Sequence, residues 1–316
     1  MTLTVDPVQP SLGQRRLVGA KPRYGERVIV ALLALCALLS VATTVGIVIA
    51  LFVPTVEFFG SVSIWEFLTS TEWAPLFQRA RFGVLPLVAA TLTITVCAIA
   101  VAVPFGLGSA IYLSEYASRR TRGFLKPALE VLAGIPTVVY GFFALTFVTP
   151  LIQDLWILPG EPPQAFNGLS AGLVMGIMIL PTIASLAEDA MSAVPQSLRA
   201  GALALGSTKL QVSTRVVVPG ALSGIVAAFV LGISRAVGET MIVLIAAGGT
   251  PNFSFDPTEA MQTMTAFIAA AGIGDQPTGT IGYKTIFAVG ALLFVATFVM
   301  NLLSIRLVRR FREVYE

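Results

Sequence analysis

The chain has 316 residues, 56% hydrophobic and 12% charged, with a formal net charge of +3 and a mean hydropathy of +0.86. Soluble domains carry about 25% charged residues, so this composition excludes an ordinary soluble globular protein, and so small a net charge argues against a nucleic-acid binder. With no histidine and two cysteines, the chain also lacks Ser-His and Cys-His nucleophiles, histidine proton relays and the makings of a zinc site.

Residues 1–27 are polar and basic and read as a solvated cytoplasmic tail; Arg15-Arg16 precedes no signal-peptide pattern. Val28–Val53 follows, about 39 Å long as a helix, too long for a secretory h-region and long enough for an uncleaved anchor. Cys36 falls inside it and Cys97 inside the next apolar run, so both read as packed thiols. Residues 54–83 form an outer segment whose Trp65 and Trp73 suit a headgroup region. A second span is predicted from Val84 to Leu113, kinked or broken near Pro104, Gly106 and Gly108. A basic loop with Arg119, Arg120, Arg122 and Lys126 leads to a third span, Ala128–Leu151, which Pro136 should bend; its basic residues suit topology and anionic headgroups. After a Pro-rich outer loop, the fourth span, Leu169–Ala187, carries Gly168, Gly172 and Gly176 at four-residue spacing, a stripe that favours close helix packing. A polar loop (188–219), a fifth span (Gly220–Gly249), an acidic Gly/Pro-rich segment and a sixth span (Thr285–Leu307) complete the chain. The expected fold is therefore an all-α polytopic membrane protein with six transmembrane helices. Of its 20 Lys and Arg, sixteen fall on the side of the two termini and three on the other, so the positive-inside rule puts both termini in the cytoplasm.

The twentieth is Arg235, in the middle of the fifth span with Glu239 four residues on. A charge at that depth costs about 2.5–3.5 kcal/mol on insertion scales, and four-residue spacing puts the two on one helical face, where each partly neutralises the other. A guanidinium suits an oxyanion, since its fork binds phosphate bidentately and keeps its charge. Two readings fit: an anion-path site, or a buried ion pair that fixes helix packing.

Two enzyme-like motifs fail on context. Gly168-x-Ser170-x-Gly172 has the spacing of a nucleophile elbow but no histidine and no strand before it. Gly201–Thr208 has the spacing of a phosphate-binding loop but serine at 207 in place of lysine.

The 198–219 segment reads as helix, glycine turn and second helix, a docking knob on the cytoplasmic face. It resembles the EAA loop of ABC-importer permeases. Gly206 takes the glycine position, Val216 and Val218 the aliphatic ones, Pro219 the proline and Ala202 the second alanine, whereas Ala200 stands where the family has glutamate and Gly201 where it has the first alanine. The stretches 101–118, 134–145 and SRAVGETMIVLIAAG at 234–248 narrow the likeness to the PstC-type permease of phosphate-specific ABC importers, over residues 84–307.

The resemblance implies a type I importer permease in a bacterial or archaeal plasma membrane. It implies domains of 1–27 (tail), 28–83 (first helix and outer loop), 84–307 (five-helix permease unit) and 308–316 (tail). It further implies a non-catalytic subunit with no cofactor of its own, ATP and Mg²⁺ residing on two partner ATPases that engage the 198–219 loop. The other implied partners are a PstA-like second permease, an extracytoplasmic phosphate-binding protein, membrane lipid and phosphate-sensing regulators, with no nucleic acid. It assigns Arg235 and Glu239 to the substrate path. A PstA-like role, another oxyanion such as phosphonate, or ion-coupled secondary transport are the alternative readings.

Overall fold

The computed structural model describes residues 24–75, 77, 79–157, 159–274 and 276–310. Most of both terminal tails, with Arg15, Arg16, Lys21 and Arg23, lies outside them. The chain divides into two units after Ala50.

The first unit is the leading part of helix α1 (Tyr24–Phe59), an apolar rod whose large side chains are exposed along its length. In water that face would be costly; in hydrocarbon it is the expected exterior. Pro54 does not end α1, which runs on to Phe59.

In the second unit, the short α2 (Ile64–Thr69) and a two-residue hairpin, β1 (Trp73–Ala74) with β2 (Arg81–Phe82), follow α1. Trp73 does not face outward. It is buried, edge-on to Phe267 at 4.9 Å between ring centres. Trp65, by contrast, is exposed.

Helix α3 (Leu85–Ile111) runs unbroken through Pro104 and ends in a π-helical turn, Tyr112–Tyr116. The expected break is absent, and the glycine beside it serves packing: a Cβ on Gly106 would stand 2.8 Å from Ile183 Cγ2. A separate helix, α4 (Arg119–Ala133), comes next. It stops at Gly134 because Pro136 disfavours a helical conformation at Ile135 and removes an N–H donor. The third span therefore begins at Thr137 rather than Ala128. It comprises α5 (Thr137–Phe143), a π turn and α6 (Thr149–Asp154), so Pro136 caps a helix instead of bending one.

Helix α7 (Gly168–Ser192) is the centre of the fold and extends five residues beyond the expected end. Its glycine stripe makes the close packing expected of it, and the partner is α3. A Cβ on Gly172 would come within 2.5 Å of Cys97 Cβ, and one on Gly176 within 2.7 Å of the Ala98 carbonyl oxygen. Gly176→Val is accordingly expected to destabilise the subunit by about 1–3 kcal/mol through overpacking. Gly108→Ala, where nothing lies within 4 Å of the new Cβ, should be neutral. Thermal unfolding of the two purified variants checks this.

After α7 come α8 (Gln196–Ala204), α9 (Lys209–Val212), a π turn and α10 (Val218–Gly220). The chain then turns by 72° into α11 (Leu222–Val237). At 16 residues α11 is about 24 Å long, short of a roughly 30 Å hydrocarbon core, so the fifth span is not one continuous helix. The path breaks at 238–240 and resumes over 241–247 until Gly248, whose φ of +93° suits only glycine. The segment after it holds an element that its Gly/Pro-rich surroundings obscure, α12 (Met264–Ile273). The last helix, α13 (Ile281–Arg310), completes the unit. Among the described residues five helices are long and apolar enough to span a bilayer, or six if the bent pair through α11 counts as one span.

Candidate substrate path and coupling hairpin

Helix α11 carries Arg235 in its last turn, half-buried. Its Nη1 donates to Thr182 Oγ1 of α7 at 3.1 Å. A guanidinium has five N–H donors, and the others have no partner among the described residues. Tyr140 of α5 lies within electrostatic reach of the same charge, its hydroxyl donating to the Leu132 carbonyl at 2.9 Å.

Glu239 is not the counter-ion that helical spacing suggests. The helix ends at Val237 with Gly238 as its cap, so the four-residue register is lost. Among the described residues, Arg235 and Glu239 form no ion pair. Glu239 Oε1 instead accepts from the N–H groups of Met241 (2.9 Å) and Ile242 (3.4 Å), capping the segment that resumes the span. A carboxylate there also meets the positive end of that turn. The break is fixed from the other side by Thr265 of α12, whose hydroxyl donates to the Glu239 carbonyl at 2.6 Å. Sequence reasoning missed Thr182 and Thr265 because neither is near Arg235 in the chain. The one local signal was Gly238, a residue suited to ending α11.

The docking segment folds as its sequence predicts. Gly206 adopts φ +84°, and the N–H groups of Gly206 and Ser207 donate to the carbonyls of Leu203 and Ala202, a Schellman closure of α8. Thr208 and Gln211 then cap α9 reciprocally. Val217 is the fully buried valine of the run, with Val216 and Val218 half-buried on either side and Pro219 exposed at the elbow. Leu203, Leu205 and Leu210 are exposed around the turn, with Leu205 89% accessible, so the hairpin presents apolar side chains that none of the described residues covers.

Ionic contacts gather at the end of α7. Glu188 is fully buried, paired with Arg122 and Lys126 of α4, the latter at 2.8 Å, and accepts from Ser192 Oγ at 2.8 Å. Lys126 also reaches Asp189 at 2.6 Å. Two of the four cations expected at headgroups are therefore held inside the subunit, while Arg119 and Arg120 stay exposed. Glu130 sits exposed on α4 rather than inside the third span. Hydrogen bonds that the Lys126 ammonium donates to Asp189 first, and Glu188 second, raise it above the ordinary lysine range.

Residues 102–313 match the family described as the binding-protein-dependent transport system inner membrane component. A probable ABC transporter permease of Bacillus subtilis, YqgH, is 36% identical over 85% of this chain and 86% of its own. Phosphate transport system permease proteins PstC of Mesorhizobium japonicum and PstC 1 of Mycobacterium tuberculosis are each 34% identical, covering 81% and 78% of this chain and 81% and 82% of theirs. Among solved structures, a bacterial alginate ABC transporter shares the fold with a TM-score of 0.64 at 16% identity, over 92% of this chain and 97% of that one. The matched span, the helix order and these relatives together place the chain in the binding-protein-dependent transport system inner membrane component family, as a multi-pass permease subunit of an ABC transporter.

Proposed function

We propose that this chain is the PstC-type permease of an ATP-driven inorganic phosphate importer, forming half of the translocation path. The observation that carries the reading is Arg235: a half-buried guanidinium inside a span, steadied by one threonine, with its remaining donors unclaimed by the described protein groups. Such a group stabilises an oxyanion through charge-assisted hydrogen bonds while leaving the contact weak enough to release it. In this reading Glu239 serves the path by fixing the break that ends α11 beside Arg235, and Tyr140 adds a polar wall.

The 198–219 hairpin engages a separate ATPase through Gly206 and its exposed leucines, with Ala202, Val216, Val218 and Pro219 shaping the knob. ATP and Mg²⁺ belong to that partner. A PstA-like permease completes the path, an extracytoplasmic binding protein delivers phosphate, and both termini face the cytoplasm. The spacing match of the eight-residue stretch Gly201–Thr208 to a nucleotide loop has no part in this: the segment is the end of α8 and its glycine turn.

Co-expression with the partner subunits and reconstitution in vesicles tests the proposal. ATP-dependent uptake of radiolabelled phosphate is expected, with phosphonate and sulfate competing weakly. Uptake that continues on a proton gradient without the ATPases sinks it, as does uptake of phosphonate in preference to phosphate.

A further inference from the structure

The junction of α7 and α8 is held by one buried side chain, Arg199. Its guanidinium donates to the carbonyls of Met191, at 2.7 Å, and Val194 just past the end of α7; the Met191 carbonyl also takes the Val194 N–H at 3.2 Å. Through Nη2 and Nε the same group reaches Glu115 Oε1, at 3.1 and 3.3 Å. Glu115 lies in the π turn that ends the second span, and Ser114 Oγ donates to it at 3.0 Å. The two charged side chains are similarly enclosed, 10% and 11% accessible.

Had Arg199 met backbone carbonyls alone, it would be a folding clasp. The ion pair adds a link from the docking hairpin to a different span, one that the chain itself does not join to the hairpin. It borders a pocket of about 260 Å³ lined by Ala200, Leu203 and Lys209, so the linked groups are not locked in a close-packed core.

We propose that Arg199 is a positioning residue for transport: through Glu115 it makes the second span follow the hairpin when the ATPases move it. The proposal rests on the ATP-coupled reading above. In the hairpin the elbow at Ala221 drives α11, and the Arg199–Glu115 pair drives α3, so one displacement reaches two spans.

The test uses the complete reconstituted complex. Glu115→Gln keeps the shape and removes the charge, and is expected to lower phosphate imported per ATP hydrolysed about five- to tenfold. Arg199→Gln should lower it at least as far, Arg199→Lys should keep more than half, and the Arg199→Gln/Glu115→Gln double variant should be no worse than Arg199→Gln, since both partners belong to one contact. Nitroxides on Leu203→Cys and Phe105→Cys, with Cys36 and Cys97 replaced by alanine, give a readout that needs no substrate. On ATP binding their separation should hold within about 1 Å in the parent and change by several ångströms in Glu115→Gln. A parent-like distance in Glu115→Gln overturns the proposal, as does failure of both single variants to assemble, which would mark the pair as structural. If the parent vesicles import no phosphate, the substrate assignment fails and the label distances alone decide whether the pair links hairpin and span.

Discussion

Arg235→Gln is expected to lower phosphate uptake about 100-fold while leaving assembly with the partner subunits intact. Charge-assisted hydrogen bonds contribute about 1.5–3 kcal/mol, and about 1.4 kcal/mol is a factor of ten in rate. Assembly should survive because, among the described residues, Arg235 makes no ion pair whose other half would be stranded. Arg235→Lys keeps the charge but not the fork, and should fall between the two. Thr182→Val removes the steadying hydroxyl at 3.1 Å and should cost about tenfold by letting the guanidinium swing. Glu239→Gln retains an acceptor for Met241 and Ile242 and should stay near parental uptake, whereas Glu239→Ala loses the cap. Uptake by Arg235→Gln within twofold of the parent would rule out an anion-path role. Co-purification of the variant complexes separates lost transport from lost assembly.

The α4–α7 contact predicts an asymmetry in stability. Glu188 is fully buried, whereas Arg122 and Lys126 keep 39% and 25% of their side chains accessible. Removing both cations leaves this carboxylate without a counter-charge and with the Ser192 hydroxyl as its remaining partner among the described residues. Arg122→Ala with Lys126→Ala should therefore cost about 3–5 kcal/mol. Glu188→Ala should cost less, because the freed cations can turn toward solvent. Denaturation midpoints of the purified complexes compare the two, and equal losses would contradict the argument. The pH dependence has a definite sign. The Lys126 ammonium is raised by its carboxylate partners, so its stabilising contribution is fully present below the ordinary lysine value of about 10.4 and is lost as pH rises through the raised value. Across the neutral range the contact should be insensitive to pH.

Much of the architecture was legible in the sequence because its causes are local. Apolar runs announced the spans, four-residue glycine spacing announced a close helix contact without naming α3 as the partner, and a glycine between two helical patterns gave the hairpin its turn. What escaped depended on partners distant in the chain or on a side chain's choice among acceptors. Arg235 and Glu239 have the spacing of a helical pair, and that inference holds only while the helix continues; Gly238 ends it, and Glu239 caps the next turn. The basic loop looked like headgroup ligands because its acids, Glu188 and Asp189, sit 62 and 63 residues beyond Lys126. Gly134 and Pro136 did carry a readable stop signal, and the run of apolar residues around them masked it.

The 72° elbow at Ala221 has a consequence in simple lever arithmetic. Arg235 stands thirteen residues along α11 from Leu222, about 20 Å from the pivot. A rotation of only about 5° there sweeps the guanidinium through roughly 2 Å, more than its 3.1 Å bond to Thr182 can absorb. On the proposed ATP-coupled reading, small strokes of the hairpin would then be enough to switch which groups hold the arginine, with no large rearrangement of the subunit.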